Sequence, residues 1–238
     1  MDLICYLSNG YPTIADSVRM AQTYVEAGCD IIEIDFPGRN PFLEGEFIAG
    51  RMAKALESCG DYGAYMEGMA QVKRLLPDTQ FLLLLYEDTL EEIGYDRFVA
   101  FCRGHGFRDL ILVGLKGEGI KNRLMADGLL VSCYVQFHLP PEEVELAKAS
   151  NGFVYLQAKP APGRVNPEYP ELAQCVAYLR AQGIRRPIYC GVGVHTPQDV
   201  AMVKRAGADG AFVGSAILKL HQDKPALMRE IAAFKAMT

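Results

Sequence analysis

The chain has 238 residues, of which 50% are hydrophobic and 22% are charged, and its formal net charge is −5 at pH 7. This composition is typical of a globular protein and excludes a disordered chain, a collagen-like chain and a small disulfide scaffold. The 24 basic side chains are outnumbered by 29 acidic ones and form no basic run. The balance argues against nucleic acid as a partner.

Cysteine usage and hydropathy predict the compartment. Seven cysteines are spread along the chain without a Cys-x-x-Cys pair or a histidine at metal-ligand spacing. We therefore expect reduced, mostly buried thiols and no metal site. The first residues show no secretory signal, and no apolar run reaches the length of about 18 residues that a membrane span needs. These features predict a soluble, cytoplasmic protein with no membrane partner.

Short apolar runs alternate with longer amphipathic stretches along the chain, which is the pattern of βα units around a parallel sheet. Eight runs predict strands, at residues 3–7, 30–35, 81–86, 109–113, 129–135, 152–157, 187–190 and 210–213. The stretches between them predict helices by their apolar spacing. The predicted helices are residues 13–27, 46–56, 65–75, 95–102, 141–149, 169–181, 197–206 and 225–236.

Three predicted strands follow the same local pattern, in which a glycine ends the preceding helix and an acidic residue opens the strand. The glycines are Gly28, Gly106 and Gly207, and we expect left-handed helix caps there. Eight such units over residues 1–238, without a linker rich in serine or proline, predict an α/β protein with a single (β/α)8 TIM barrel domain. A doubly wound open sheet is the alternative fold.

The second predicted strand places a carboxylate inside the barrel. Side chains alternate along a strand, so Ile31, Glu33 and Asp35 share one face. The apolar pair Ile32 and Ile34 is expected to face the surrounding helices, which leaves Glu33 in the barrel interior. Desolvation there raises the pKa of a carboxyl group toward the range useful for acid or base catalysis. The alternative is a structural carboxylate bonded to a neighbouring strand.

A loop with prolines and glycines follows this strand and carries a second carboxylate, Glu44. A loop of this length can fold over the barrel mouth, because the loops after the carboxyl ends of the strands carry the chemistry of such barrels. Two carboxylates at one substrate can divide the acid and base roles between them. Alternatively, Glu44 is a charge at a helix amino terminus.

Glycines close the seventh and eighth predicted strands and indicate a phosphate site. Gly191 and Gly193 form a Gly-x-Gly turn after one strand, and Gly214 and Ser215 follow the next. Such turns let backbone N–H groups approach an anion, and a short helix beginning there would direct its positive end at the same point. Plain tight turns between strand and helix are the alternative.

The sixth predicted strand carries Tyr155 with inward orientation, where its phenol can hydrogen-bond a ligand or simply pack. The following loop contains Lys159, Gly163 and Arg164, and it either closes over the phosphate or forms a solvated connection. The four histidines have no acidic or nucleophilic partner at triad spacing and receive no catalytic role.

Four segments together resemble the tryptophan synthase α subunit family: residues 8–12, 27–34, 41–45 and 213–217. The resemblance covers nearly the whole chain. It implies a barrel that cleaves indole-3-glycerol phosphate to indole and glyceraldehyde 3-phosphate, without a cofactor or a metal, beside a tryptophan synthase β subunit. It implies that Glu33 protonates the indole carbon and that Glu44 takes the indole N–H proton. It also implies an active-site role for Tyr155, an aromatic pocket position for Tyr86 and phosphate binding by Gly193, Gly214 and Ser215.

The chain departs from the family pattern in its loops. Glu44 stands where the family has aspartate, and residues 114–117 replace an aspartate followed by proline. The loop after the sixth strand lacks the family's Arg-Ser-Gly-x-Thr-Gly. Two alternative functions follow: a phosphate-binding barrel with a different phosphorylated substrate, and a non-catalytic regulatory partner of a β-like subunit.

Overall fold

The computed structural model describes residues 1–114 and 116–238. Leu115, which belongs to the segment that departs from the family after the fourth strand, lies outside the described residues. The strands are β1 (Asp2–Leu7), β2 (Ile31–Asp35), β3 (Gln80–Tyr86), β4 (Asp109–Val113), β5 (Leu130–Val131), β6 (Cys133–Val135), β7 (Val154–Gln157), β8 (Ile188–Gly191) and β9 (Gly210–Val213).

Helices follow the strands around the outside of the sheet. They are α1 (Ile14–Glu26), α2 (Glu46–Ser58), α3 (Tyr62–Leu75), α4 (Glu87–Ile93), α5 (Tyr95–His105), α6 (Gly119–Ala126), α7 (Pro141–Ala149), α8 (Leu172–Ala181), α9 (Pro197–Arg205), α10 (Ser215–Leu218) and α11 (Lys224–Lys235). Each of the eight predicted helices is present with small shifts at its ends. Helices α4 and α6 were not predicted, because α4 follows β3 directly and α6 buries only Leu124.

All strand pairs are parallel, in the order β5-β4-β3-β2-β1-β9-β8-β7-β6. The chain between β5 and β6 joins the two ends of this order at Ser132. The Ser132 N–H donates to the Leu110 carbonyl at 2.9 Å, whereas the Cys133 N–H donates to the Phe153 carbonyl at 3.2 Å. The single strand predicted over residues 129–135 is therefore split, because its two halves pair with different neighbours. The ring of strands confirms the predicted (β/α)8 barrel.

The barrel has an outer and an inner apolar layer. Ile32 and Ile34 belong to the layer between strands and helices, as the alternation in β2 predicts. A smaller cluster fills the barrel interior, and it consists of Ile4, Ile31, Leu82, Phe153, Tyr189 and Phe212. This cluster fills the interior below a cavity that lies toward the carboxyl ends of the strands. The predicted left-handed caps at Gly28, Gly106 and Gly207 are confirmed by their positive φ angles of 106°, 73° and 78°.

Within the described residues, no helix combines the length and the apolar character needed to cross a membrane. The described side chains also contain no group of three or more His, Cys, Asp or Glu placed to hold a metal ion. All seven cysteines are free, and six of them are buried, as the sequence predicts.

Candidate active site

A cavity of about 580 Å³ opens at the carboxyl ends of the strands. Six residues singled out in the sequence line it: Glu33, Glu44, Tyr155, Gly193, Gly214 and Ser215. Three others do not, namely Tyr86, Gly163 and Gly191. The fold thus brings both candidate acids and most of the candidate phosphate site to one space.

Tyr6, Glu33 and Glu44 line one part of the cavity. Together with Asp35, which is fully buried and does not reach the cavity, they are here named the acid side. Glu33 projects from β2 and is only 8% exposed. It makes no hydrogen bond to any side chain or backbone group of the described residues. Burial and then the charges of Glu44 and Asp35 raise the pKa of Glu33 from 4.5 to about 8. Glu33 therefore holds a proton at neutral pH and can donate it into the cavity.

Glu44 reaches the cavity from the loop between β2 and α2. A turn in which its N–H donates to the Pro41 carbonyl at 2.9 Å fixes the backbone there. The Tyr86 hydroxyl donates to Glu44 Oε1 over a long 3.4 Å. Burial raises the pKa of Glu44, although the Tyr86 hydrogen bond opposes this. Tyr86 itself is almost completely buried behind Glu44, so its ring supports the carboxylate from outside the cavity wall.

Tyr155 forms the floor of the cavity. Its ring stacks on Phe212 with centroids 4.3 Å apart and an interplanar angle of 10°. Burial and then the charge of Glu33 raise the pKa of the Tyr155 phenol well above its usual value, so it remains a hydrogen-bond donor. A Cβ atom at position 191 would collide with the Tyr155 ring and hydroxyl. Gly191 therefore makes room for Tyr155 and does not itself face the cavity.

Gly193, Gly214 and Ser215 line another part of the cavity. Together with Gly191, which lies against the Tyr155 ring and does not face the cavity, they are here named the glycine side. Gly193 has a φ of 100°, and a Cβ there would lie 2.9 Å from Lys159 Cβ. Helix α10 begins at Ser215. The first N–H groups of a helix have no acceptor within it, so they remain available to an anion in the cavity.

The first part of the loop after β7 is bound to helix α9 by an ion pair. Lys159 Nζ lies 2.6 Å from Asp199 Oδ1. Asp199 also forms a capping box with Thr196 at the start of α9. Burial alone would raise the pKa of Asp199, but Lys159 and the donors at His195 and Thr196 lower it to about 2. Gly163 lies farther along this loop in an exposed turn, and the structure places it outside the cavity wall.

Most of the other cavity residues were not found from the sequence, and three polar ones among them are Lys121, Ser132 and Tyr134. They line the cavity from α6, the β5–β6 junction and β6. Lys121 Nζ pairs with Glu118 at 2.9 Å. The unpredicted helix α6 hid Lys121, whereas the inward side of the fifth strand was available as a signal for the other two.

A carboxylate lies beside Gly114 and Lys116, in the segment where this chain lacks the aspartate of the family pattern. A Cβ atom at Gly114 would overlap the carboxyl group of Glu87, which is buried at the start of α4. The Lys116 N–H donates to Glu87 Oε2 at 3.1 Å. The space beside Gly114 is thus filled by an acid from the preceding unit of the barrel.

Comparisons with known proteins identify the family and agree with the fold. The family model described as Tryptophan synthase alpha chain matches residues 1–237. The tryptophan synthase alpha chain of Halorhodospira halophila is 31% identical over 227 residues, which are 92% of this chain and 81% of that one. A crystal structure of tryptophan synthase from M. tuberculosis in its aminoacrylate-bound form superposes with a TM-score of 0.83 at 26% identity, covering 99% of this chain and 92% of that one. Tryptophan synthase subunit alpha from Campylobacter jejuni gives 0.84 at 25% identity, with coverages of 98% and 95%.

Proposed function

This chain belongs to the tryptophan synthase alpha chain family, and we propose that it cleaves indole-3-glycerol phosphate to indole and glyceraldehyde 3-phosphate by general acid and base catalysis. The observation that carries the proposal is the buried carboxyl group of Glu33, which keeps its proton to about pH 8 in the same cavity as the glycine side.

The reaction begins with two proton transfers on the indole ring. Glu33 donates its proton to the ring carbon that bears the glycerol phosphate chain. Glu44 accepts the proton of the ring N–H, which keeps the ring neutral. Two carboxyl groups with different surroundings suit this division of roles, because Glu33 has no hydrogen-bond donor in the described structure while Glu44 receives one from Tyr86.

The carbon–carbon bond breaks in the second stage. Glu33, now ionised, takes the proton of the hydroxyl group on the neighbouring side-chain carbon. That carbon becomes the aldehyde of glyceraldehyde 3-phosphate, and the electron pair of the broken bond returns to the indole ring. The ring nitrogen recovers its proton from Glu44, and Tyr155 donates a hydrogen bond to the substrate. The ring itself accepts the electrons, so the scheme requires no cofactor and no metal.

The substrate phosphate binds at the glycine side. Gly193 and Gly214 expose backbone at the carboxyl ends of β8 and β9, and Ser215 adds the first amide of α10 and a hydroxyl group. In this proposal Gly191 acts indirectly, through the space it gives Tyr155. Gly163 reaches the phosphate only if the loop after β7 folds farther over the cavity.

A tryptophan synthase β subunit is the partner in this proposal. Three large apolar side chains stand exposed on the loop and helix beside the acid side: Phe42 at 44%, Leu43 at 69% and Phe47 at 43%. Clustered exposed apolar groups are typical of a surface that another protein covers. We further propose that residues 1–238 act as one barrel domain in the cytoplasm.

A second candidate function keeps the barrel and the phosphate site but changes the ring of the substrate. Lys121 and Tyr134 line the same cavity and bring an ammonium group and a phenol to it. A phosphorylated substrate whose ring carries a hydrogen-bond acceptor would use them.

The decisive measurement is indole release from indole-3-glycerol phosphate by the purified chain, with and without a tryptophan synthase β subunit. We expect the parent chain to release indole. The rate of release should fall about 100-fold or more in Glu33→Gln, which keeps the shape of the side chain but has no acidic proton to transfer. Saturable binding of glycerol 3-phosphate without any indole release would instead favour a different substrate.

A further inference from the structure

Asp35 is a fully buried carboxyl group that the proposed mechanism does not use. It lies at the end of β2 with 0% exposure, two residues after Glu33 and on the same face of the strand. A buried carboxyl group costs free energy unless its charge or its proton is specifically accommodated. The groups around Asp35 therefore indicate whether the fold favours its charged or its protonated form.

Two donors converge on Asp35. The backbone N–H of Asn9 donates to Oδ1 at 2.5 Å, and the Tyr6 hydroxyl donates to Oδ2 at 3.0 Å. Donors directed at both oxygens favour the ionised carboxylate. Glu33 lacks such donors among the described residues, so the two acids of β2 have opposite surroundings.

Tyr6 lies beside both Asp35 and Glu33. It lines the cavity and is the register partner of Glu33 across the β1–β2 pair. Neighbouring parallel strands lie about 4.8 Å apart, so the two side chains stand next to each other on the inner face. The hydrogen bond from the Tyr6 hydroxyl to Asp35 holds the Tyr6 ring beside Glu33.

We propose that Asp35 is a positioning residue for the cleavage reaction, one that fixes the Tyr6 ring beside Glu33 and keeps a negative charge next to Glu33 so that Glu33 retains its proton. This inference rests on the proposed role of Glu33 as the acid. It adds a residue that does not touch the substrate and acts through its two neighbours.

The pKa values of Asp35 and Glu33 agree with a charged Asp35 beside a protonated Glu33. Burial raises the pKa of Asp35 to about 7, although the Asn9 amide and the Tyr6 hydroxyl lower it, while the pKa of Glu33 rises to about 8. Asp35 thus ionises first as the pH rises. Other titratable or charged groups facing the pair are Tyr6 of β1, Glu44 of the loop before α2, Arg51 of α2, Tyr65 of α3, Tyr86 of β3 and Tyr155 of β7.

The test is the pH profile of kcat/KM for indole release in Asp35→Asn. Asparagine keeps the size of the side chain, accepts from the Asn9 amide and can donate to the Tyr6 oxygen, but it has no charge. Without that charge Glu33 loses its proton more easily. We expect the basic limb of the profile to move down by about 1 pH unit, which lowers kcat/KM about tenfold above the limb and leaves it within about twofold at pH 6.

Two further variants make the result specific. Tyr6→Phe removes one of the two donors to Asp35, so the limb should move in the same direction by a smaller amount. Asp78→Asn removes one charge from an exposed turn before β3, and its profile should match that of the parent chain. If Asp35→Asn does not fold, Asp35→Gly removes the same charge, and glycine is compatible with an extended strand end.

A second readout does not depend on activity. Carbon-13 NMR of glutamate-labelled chain, with the Glu33 signal identified from Glu33→Gln, should show Glu33 titrating at lower pH in Asp35→Asn than in the parent. An unchanged Glu33 titration overturns the inference, as does a kcat/KM reduced equally at every pH. If the Glu33 titration shifts in Asp35→Asn but the parent chain releases no indole, the proposed function fails while the coupling of the two acids stands.

Discussion

The acid side and the glycine side of the cavity are built in opposite ways. The acid side gathers three carboxyl groups, two lining the cavity and one fully buried, and burial raises the pKa of each. The glycine side contributes main chain, because a Cβ would collide with Tyr155 at Gly191 and would press against Lys159 at Gly193. In the proposed function, the groups assigned to the chemistry are buried carboxyl groups that destabilise the fold, whereas the groups assigned to phosphate binding are backbone that the fold requires. Substitutions on the two sides should accordingly change stability with opposite signs.

The largest effect is expected at Glu33. The unfolded chain ionises this carboxyl near its ordinary pKa of 4.5, whereas the folded chain keeps the proton to about pH 8. Raising the pH through this interval therefore favours unfolding, and the parent chain loses stability. Glu33→Gln cannot ionise, so it should be more stable than the parent by on the order of 3 kcal/mol at pH 8 and by much less at pH 5. Urea unfolding at the two pH values measures this, and equal stability of the two chains would contradict it.

Gly193→Ala should act in the other direction. An alanine there must adopt a φ of 100° and place its Cβ against Lys159. We expect a loss of about 1–3 kcal/mol in stability and at least about tenfold weaker binding of glycerol 3-phosphate. Gly207→Ala is the matched control, because Gly207 has a φ of 78° but no atom within 4 Å of an added Cβ. It should lose stability while binding of the phosphate compound is unchanged.

Asp199→Asn should produce a smaller loss that depends on pH. The folded chain lowers the pKa of this carboxyl from 3.8 to about 2, so its contribution is present above pH 3.8 and disappears as the pH falls toward 2. We expect the variant to be about 1–2 kcal/mol less stable than the parent at pH 7, by thermal or urea unfolding. Lys159→Met keeps the helix cap and removes only the ion pair. A similar loss in that variant would show that the loop tether, and not the cap, carries the effect.

The smallest effect is expected at Tyr86. Its hydrogen bond to Glu44 is 3.4 Å long, which is near the limit of a useful interaction. Tyr86→Phe keeps the buried ring and should lower kcat for indole release less than about threefold, whereas Glu44→Gln should lower it about tenfold or more. Equal losses in the two variants would mean that Tyr86 determines where Glu44 stands.

The sequence predicted the features that depend on local pattern. Alternation of isoleucine with acidic residues was enough to orient β2 and to place Glu33 inside the barrel. The roles of the glycine side and of Glu33 remain predictions that the variants above test. The reach of Glu44 could not be predicted, because its contact with Tyr86 joins residues 42 positions apart.

Other features depend on pairing that no local pattern encodes. Asp35 shared the face of Glu33 in the sequence, but its two donors come from β1 and the loop that follows it. Helix α6 lacks a strong apolar face, so Lys121 was missed. The split of the fifth strand reflects a change of neighbours at Ser132, and its residue types are those of an ordinary strand.

That split has a consequence for hydrogen exchange. The two halves of the strand, β5 and β6, are only two and three residues long, and each pairs with one neighbouring strand. Short ladders open at low free-energy cost, so their amides should exchange with deuterium through local opening, ahead of those of β1, β2 and β3. Ser132 and Tyr134 also line the cavity. A ligand that fills the cavity should therefore slow amide exchange at the β5–β6 junction. The exchange rate of these amides would then report whether the cavity is occupied.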